Sequence, residues 1–147
     1  MKTILSAGKS TRWFSIFFWA TAAIGLSLSI AACVGARFDK PALDNATMLS
    51  DKAPALMEKA TKSYNDNEAE ANGVLKSLDE AYEHAAATKK NKEVAEQWRL
   101  VRDDMVKPFL TRWKEKGKLD KDFIKPAAVQ VRDALTAIVR AEKAKPK

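Results

Sequence analysis

Cys33 is the only cysteine in a chain of 147 residues, and its thiol has the most distinctive chemistry in the sequence. A thiolate is a strong nucleophile that accepts alkyl and acyl groups. A disulfide within one chain needs two cysteines and is excluded here. An uncharged run, residues 13–32, ends directly before Cys33, and a sequence rich in lysine, glutamate and alanine follows. This position predicts a modified cysteine rather than one buried in a core.

The segment before Cys33 has the composition of an export signal. Its only charged side chains are Lys2, Lys9 and Arg12, and all three precede the uncharged run. A basic start, an apolar centre and a small-residue end are the three parts of a secretory signal peptide. The positive charges keep the N-terminus in the cytoplasm and direct the following residues outward. We predict a signal peptide over residues 1–32.

Ile30-Ala31-Ala32-Cys33 resembles the lipobox of bacterial lipoproteins, in which an aliphatic residue and two small residues precede a cysteine. The resemblance covers the first 33 residues. It implies a diacylglycerol thioether on Cys33, cleavage before Cys33 and acylation, typically with palmitate, of the new amino group. Such a protein is anchored by acyl chains and faces the periplasm. Val34 follows the cysteine where aspartate would signal inner-membrane retention, so the resemblance to Gram-negative lipoproteins implies the outer membrane.

Two other fates of the leader stay open. Val34-Gly35-Ala36 has the small residues of an ordinary signal-peptidase site, and cleavage after Ala36 would release the protein without an anchor. The uncharged run is also long enough to cross a bilayer as an uncleaved helix.

The segment after Cys33 predicts an all-α fold, a small antiparallel bundle of three to four helices. Alanine, lysine, glutamate and leucine dominate, glycine is scarce, and no alternating strand pattern occurs. Short connections between amphipathic helices favour antiparallel packing. We place a lipidated tether at residues 33–40, the helical bundle at 41–142 and a basic tail at 143–147.

Proline and aspartate positions predict where the first two helices begin. Asp39 and Asp51 are candidate N-caps, each with a proline in the turn that follows. The second helix is predicted to be long, with a kink or break within residues 65–73. Residues 87–91 are predicted to form a turn.

Two further helices have clear apolar stripes. In the third helix the stripe predicts a buried face, Pro108 predicts a kink and Gly117 predicts the end. The fourth helix is predicted to begin near Asp122, with Pro126 in its first turn, and to fray into residues 141–147. The stripes consist of Val94, Trp98, Val101, Met105 and Phe109, continued by Val106, Leu110 and Trp113, and of Phe123, Ile124, Ala127, Val131, Leu135 and Ile138.

Residues for catalysis or metal binding do not converge in this sequence. His84 is the only histidine, and we predict that it is a solvated residue paired with Glu80 across one helical turn. A catalytic or metal-binding role would need converging partners, so we predict no catalytic, metal or cofactor residues. Basic residues alternate with acidic ones on the helices, which argues against a nucleic-acid partner.

The C-terminal lysine invites a second comparison. A lipidated N-terminus combined with a terminal lysine resembles the major peptidoglycan-linked outer-membrane lipoprotein, in which that lysine is joined to the cell wall. This chain lacks sustained heptads and has Pro146 before Lys147. We therefore favour a basic, disordered tail near anionic envelope polymers.

Together these features predict a lipid-anchored protein of the cell envelope that acts as a non-enzymatic interaction or structural module with an envelope protein partner. The alternative is a helical-bundle binder of haem or a small hydrophobic ligand beside Trp98, Trp113 and Met105, because aromatic bundle interiors can hold such molecules.

Overall fold

A computed structural model of the chain describes residues 36–147. The predicted signal peptide, the lipobox and the lipidation of Cys33 lie outside the described residues. Within them the chain is all-α, as predicted, and no strand occurs among the residues that the structure describes. The elements are α1 (Lys40–Glu58), α2 (Glu68–Ala87), α3 (Lys92–Arg99), a π-helical segment (Leu100–Val106), α4 (Lys107–Lys116) and α5 (Lys121–Lys143).

The four helical rods run antiparallel, with α3, the π-helical segment and α4 forming one continuous third rod. At one end, the Phe38 N–H donates to the Pro146 carbonyl at 2.8 Å, so α1 begins beside the end of α5. At the other end, the Leu119 N–H donates to the Ala60 carbonyl at 2.8 Å, so α1 ends beside the start of α5. One apolar core fills the space between the rods, with Trp113, Leu49, Leu56, Leu78, Leu135 and Ile138 among its fully buried members.

The first helix is longer than predicted. Asp39 is its N-cap, as predicted, and accepts a hydrogen bond from the Ala42 N–H at 3.4 Å. The prediction of a second cap at Asp51 is wrong, because α1 continues through Asp51 and Pro54 to Glu58. Pro54 removes one helical hydrogen bond. The buried stripe outweighs that loss, since it crosses the proline without interruption at Ala46, Leu49, Ala53, Leu56 and Met57.

The predicted long second helix is divided in two. Two short 3₁₀ turns, Lys59–Thr61 and Asn65–Asn67, separate α1 from α2. The break therefore begins earlier than the predicted interval of 65–73, and Gly73 lies inside α2. The predicted turn at 87–91 is confirmed, since α2 ends at Ala87 and α3 begins at Lys92.

The third rod buries the predicted stripe, with Met105 at its half-buried edge. Where a kink was expected, the chain widens into π-helical geometry just before Pro108. The Lys107 N–H donates to the Arg102 carbonyl, five residues earlier rather than four. Gly117 ends the rod as predicted: its φ of 74° lies in the left-handed region that glycine tolerates.

The fourth helix begins slightly earlier than predicted. Asp120 is its N-cap and accepts a hydrogen bond from the Asp122 N–H at 2.8 Å. Pro126 therefore lies inside α5 rather than in its first turn. The predicted stripe is buried at Ile124, Val131, Leu135 and Ile138, and Phe123 and Ala127 are half-buried.

The C-terminal segment does not fray, and the expectation of a disordered tail is wrong. The Lys145 Nζ contacts a Glu142 carboxylate oxygen at 2.7 Å, and these side chains are only 2% and 1% exposed. The backbone bond from Phe38 to Pro146 fixes the last residues further. A lysine and a glutamate three residues apart suit a solvated helix face equally well, so their spacing does not predict this burial.

Candidate functional site

The packed bundle begins only a few residues after Cys33 in sequence. Ala36 is only 3% exposed, and Phe38 is bound to Pro146 through its backbone. Cys33 is therefore only three peptide bonds from a packed position. A chain of this length spans at most about 11 Å.

His84 lies at this same end, where it contacts a residue far from it in sequence. Its Nε2 is 2.5 Å from Asp39 Oδ2, so the predicted pairing with Glu80 is wrong. Glu80 instead faces Lys76, with 3.8 Å between Nζ and Oε1. The His84 side chain is 48% exposed, which agrees with the predicted surface position.

The contact with His84 also changes the acidity of Asp39. The hydrogen bond from His84 favours the ionised carboxylate and lowers the pKa of Asp39, while partial burial opposes this shift. The Ala42 N–H and the positive charges of His84 and Lys145 lower the pKa further. This carboxylate caps α1 and ties it to α2.

The two tryptophans of the predicted ligand pocket are core residues. Trp98 and Trp113 are both buried in the core, so neither of them lines a ligand pocket. The Trp113 indole N–H donates to the Lys62 carbonyl at 3.0 Å. Its ring also packs edge-on against Tyr64, with 5.4 Å between centroids. Trp113 therefore fixes the connection between α1 and α2 to α4.

An open groove lies between the third rod and α5, with a volume of about 690 Å³. Of the three residues predicted for a pocket, only Met105 lines it. Its aromatic floor is the stacked pair Phe109 and Phe123, with centroids 5.8 Å apart. The Arg112 guanidinium lies 4.3 Å from the centroid of the Phe123 ring, a cation–π arrangement.

Each of the two helices that form the groove contributes a proline to it. Pro108 and Pro126 both line the groove, one on each helix. Proline has a short, ringed side chain, and each interrupts the regular helical bonding of its own rod. The combination of a proline and an aromatic residue on two neighbouring helices was the available signal for this groove, and sequence reasoning did not use it.

The rim of the groove is mostly acidic. Asp104, Glu115 and Asp122 supply three carboxylates, against Arg112 as the one basic lining residue. Asp104 faces Arg99 at 3.6 Å. Within residues 36–147, Glu115 and Asp122 form no ion pair. An apolar floor with an acidic rim suits a segment that carries an apolar side chain flanked by lysine or arginine.

A second charged cluster, on the π-helical segment, is paired within itself. Arg102 contacts Asp103 at 2.7 Å and Asp79 at 3.4 Å, and its guanidinium lies 4.1 Å from the centroid of the Tyr82 ring. Lys107 contacts Asp103 at 3.1 Å. The hydrogen bond from Arg102 holds the pKa of Asp103 well below its usual range, and the hydrogen bond from Lys107 has a smaller effect in the same direction. These contacts join α2 to the third rod.

Over the described part of the chain, no group of three or more histidine, cysteine, aspartate or glutamate side chains is arranged to hold a metal ion. Among the same residues, no helix is sufficiently long and apolar to cross a membrane. Comparisons with protein-family models, with curated proteins and with solved structures find no match.

Proposed function

We propose that this protein is anchored in the cell envelope by acyl chains on Cys33 and that its bundle is a non-enzymatic interaction module. The module faces the periplasm, on the outer membrane if the host is Gram-negative. Its partner is another envelope protein.

The short connection between Cys33 and the bundle supports this proposal. Ala36 is buried and Phe38 is bound to Pro146, so the bundle begins within three residues of the anchoring position. Acyl chains on Cys33 would therefore hold the bundle at the membrane surface. Two or more acyl chains give stable anchoring, whereas one chain gives marginal binding.

The groove is the surface that we assign to the partner. Its floor of Phe109 and Phe123 would accept an apolar side chain, and Glu115 and Asp122 would face basic residues on either side. Residues that dominate the binding energy of protein interfaces typically fill well-packed pockets from which the surrounding contacts exclude water.

A small hydrophobic ligand is the second candidate, favoured by the groove volume of about 690 Å³ and its apolar floor. Such a ligand would lie beside Met105 rather than between the tryptophans. Haem is the less favoured version, because His84 lies at the other end of the bundle from the groove and does not line it.

The intact mass of the protein extracted from membranes of its native host tests the anchor. A mass equal to residues 33–147 plus acyl chains is the expected result. A mass equal to residues 37–147, or to the unprocessed chain, would contradict lipidation at Cys33. Additional mass that dissociates on denaturation would indicate the ligand of the second candidate.

Photocrosslinking in the intact envelope tests the groove. A photoreactive residue in place of Gln130, which is exposed and lines the groove, should give one discrete protein adduct. Ala127→Arg fills the groove and should remove the adduct, whereas Ala69→Arg on the exposed face of α2 should leave it unchanged. An adduct that survives Ala127→Arg would refute the groove as the docking surface.

A further inference from the structure

Charge is shared unequally between the two ends of the bundle. We define the tether end as residues 36–40, 84–93 and 140–147, and the far end as residues 58–68 and 114–122. The tether end holds nine lysine and arginine side chains and three carboxylates, whereas the far end holds six of each. Residues 33–147 as a whole hold 23 basic and 19 acidic side chains. The positive surplus of the tether end therefore exceeds that of the entire segment.

Two of the three carboxylates at the tether end are already paired. Glu142 is buried against Lys145, and Asp39 contacts His84. Glu93 is the one exposed carboxylate of the tether end. The exposed basic side chains of this end are Arg37, Lys40, Lys89, Lys90, Lys92, Arg140, Lys143 and Lys147, of which Lys40 also contacts Asp44 at 2.6 Å.

The fold gathers these side chains from three separate segments. Phe38 and Pro146 are joined by a backbone bond, which brings the start of α1 to the end of α5. The turn between α2 and α3 reaches the same end, since His84 contacts Asp39. Lys90 has a φ of 62°, a left-handed conformation in which the chain reverses. The basic surface is thus a product of the tertiary structure.

In sequence, the same end begins three positions after Cys33. Three peptide bonds separate Cys33 from the buried Ala36, a span of at most about 11 Å. Because about 11 Å is the upper limit, the tether lets this end approach the membrane within one Debye length, about 8 Å at physiological ionic strength, where exposed charges still interact with it. The far end is separated from the tether end by the 19 residues of α1, about 28 Å of helix.

We propose that the tether end is a docking surface for anionic phospholipid headgroups of the membrane that carries the Cys33 anchor. The bundle then stands upright, with the charge-balanced far end away from the membrane. This inference rests on the proposed anchor, because the short tether is what selects lipid over other anionic polymers. Each basic side chain near an anionic surface multiplies the preference for the docked orientation by about five.

The experiment uses the full chain, lipidated in a bacterial host and reconstituted into vesicles with a quencher on the lipid headgroups. Because Cys33 is the only native cysteine, a fluorophore can be placed on Ala87→Cys at the tether end or on Asn65→Cys at the far end. Quenching is compared between vesicles of phosphatidylcholine and vesicles with one third phosphatidylglycerol. Flotation with phosphatidylcholine vesicles reports the anchor separately.

We expect at least twofold stronger quenching of the Ala87→Cys label on the anionic vesicles and no difference for the Asn65→Cys label. Replacing Lys89, Lys90 and Lys92 with glutamate should abolish the difference. Replacing the far-end residues Lys116, Lys118 and Lys121 with glutamate is the matched control and should preserve it. For the protein with all its lysines intact, salt of about 1 M should also abolish the difference in quenching, because the Debye length falls to about 3 Å.

Equal quenching on both kinds of vesicle, in a protein that floats with both, would overturn the docking surface and leave the anchor intact. Failure to float with phosphatidylcholine vesicles would overturn the anchor. In that case, flotation with anionic vesicles that depends on Lys89, Lys90 and Lys92 would still support the docking surface, and its absence would overturn that surface too.

Discussion

Replacing Trp113 with phenylalanine should destabilise the bundle more than the same change at Trp98. Both indoles are buried, and each replacement removes a comparable buried volume, at a cost of about 1–2 kcal/mol. Only Trp113 donates a hydrogen bond, to the Lys62 carbonyl at 3.0 Å; within the described residues Trp98 forms none. Losing that bond and leaving the carbonyl without its donor adds about 1–2 kcal/mol.

Urea unfolding of residues 36–147, monitored by circular dichroism, measures this difference in stability. These residues contain every core residue named above. In thermal unfolding of the same variants, the additional loss at Trp113 should lower the Tm by about 4 °C for each kcal/mol in a domain of this size.

Hydrogen exchange adds a local measurement, because Trp113 holds the connection between α1 and α2. Amides in residues 62–67 should exchange faster in Trp113→Phe and keep their protection in Trp98→Phe. Equal losses of stability in the two variants, with unchanged exchange in this connection, would refute the role assigned to the indole hydrogen bond.

Two further predictions concern the tether end. Lys145→Met should lower the free energy of unfolding by about 3–5 kcal/mol, because it leaves the Glu142 carboxylate buried without its partner. Adding Glu142→Leu to this variant should recover most of the loss. Equal stability of the single and the double variant in urea would contradict this prediction. Asp39→Asn keeps the helix cap but loses the charge. Because the folded pKa of Asp39 lies below its unfolded value, the stabilisation, up to about 1 kcal/mol, is present above about pH 4 and disappears as the pH falls through the folded pKa. A difference between wild type and Asp39→Asn that persists at pH 2 would contradict the assignment.

The apolar stripes were predictable because burial in a bundle follows the helical period. Trp98 and Val101 in the third rod and Leu135 and Ile138 in α5 are buried as the spacing indicated. Gly117 was predictable as a helix end for a local reason, its left-handed φ. Such features depend on neighbours within one or two turns of the same helix.

The errors arose where distant residues decide the outcome. Pro54 is tolerated inside α1 because the stripe on both sides of it packs into the core. His84 meets Asp39, 45 residues away, and Lys145 is buried only because the two ends of the bundle meet there. The groove follows from the relative placement of two helices. Lipidation of Cys33 stays a prediction from the sequence.

The π-helical segment has a consequence for how this chain tolerates changes of length. Its two buried residues, Val101 and Val106, are five positions apart, where an α-helix would place them three or four apart. Compared with a regular α-helix, the third rod accommodates one additional residue at this point, equivalent to the insertion of one codon in the gene. Deleting a single codon within 102–105 should return the third rod to plain α-helix while Val106, Leu110 and Trp113 keep facing the core. The same deletion within α3 would turn Val94 and the rest of that helix by about 100° relative to everything after it.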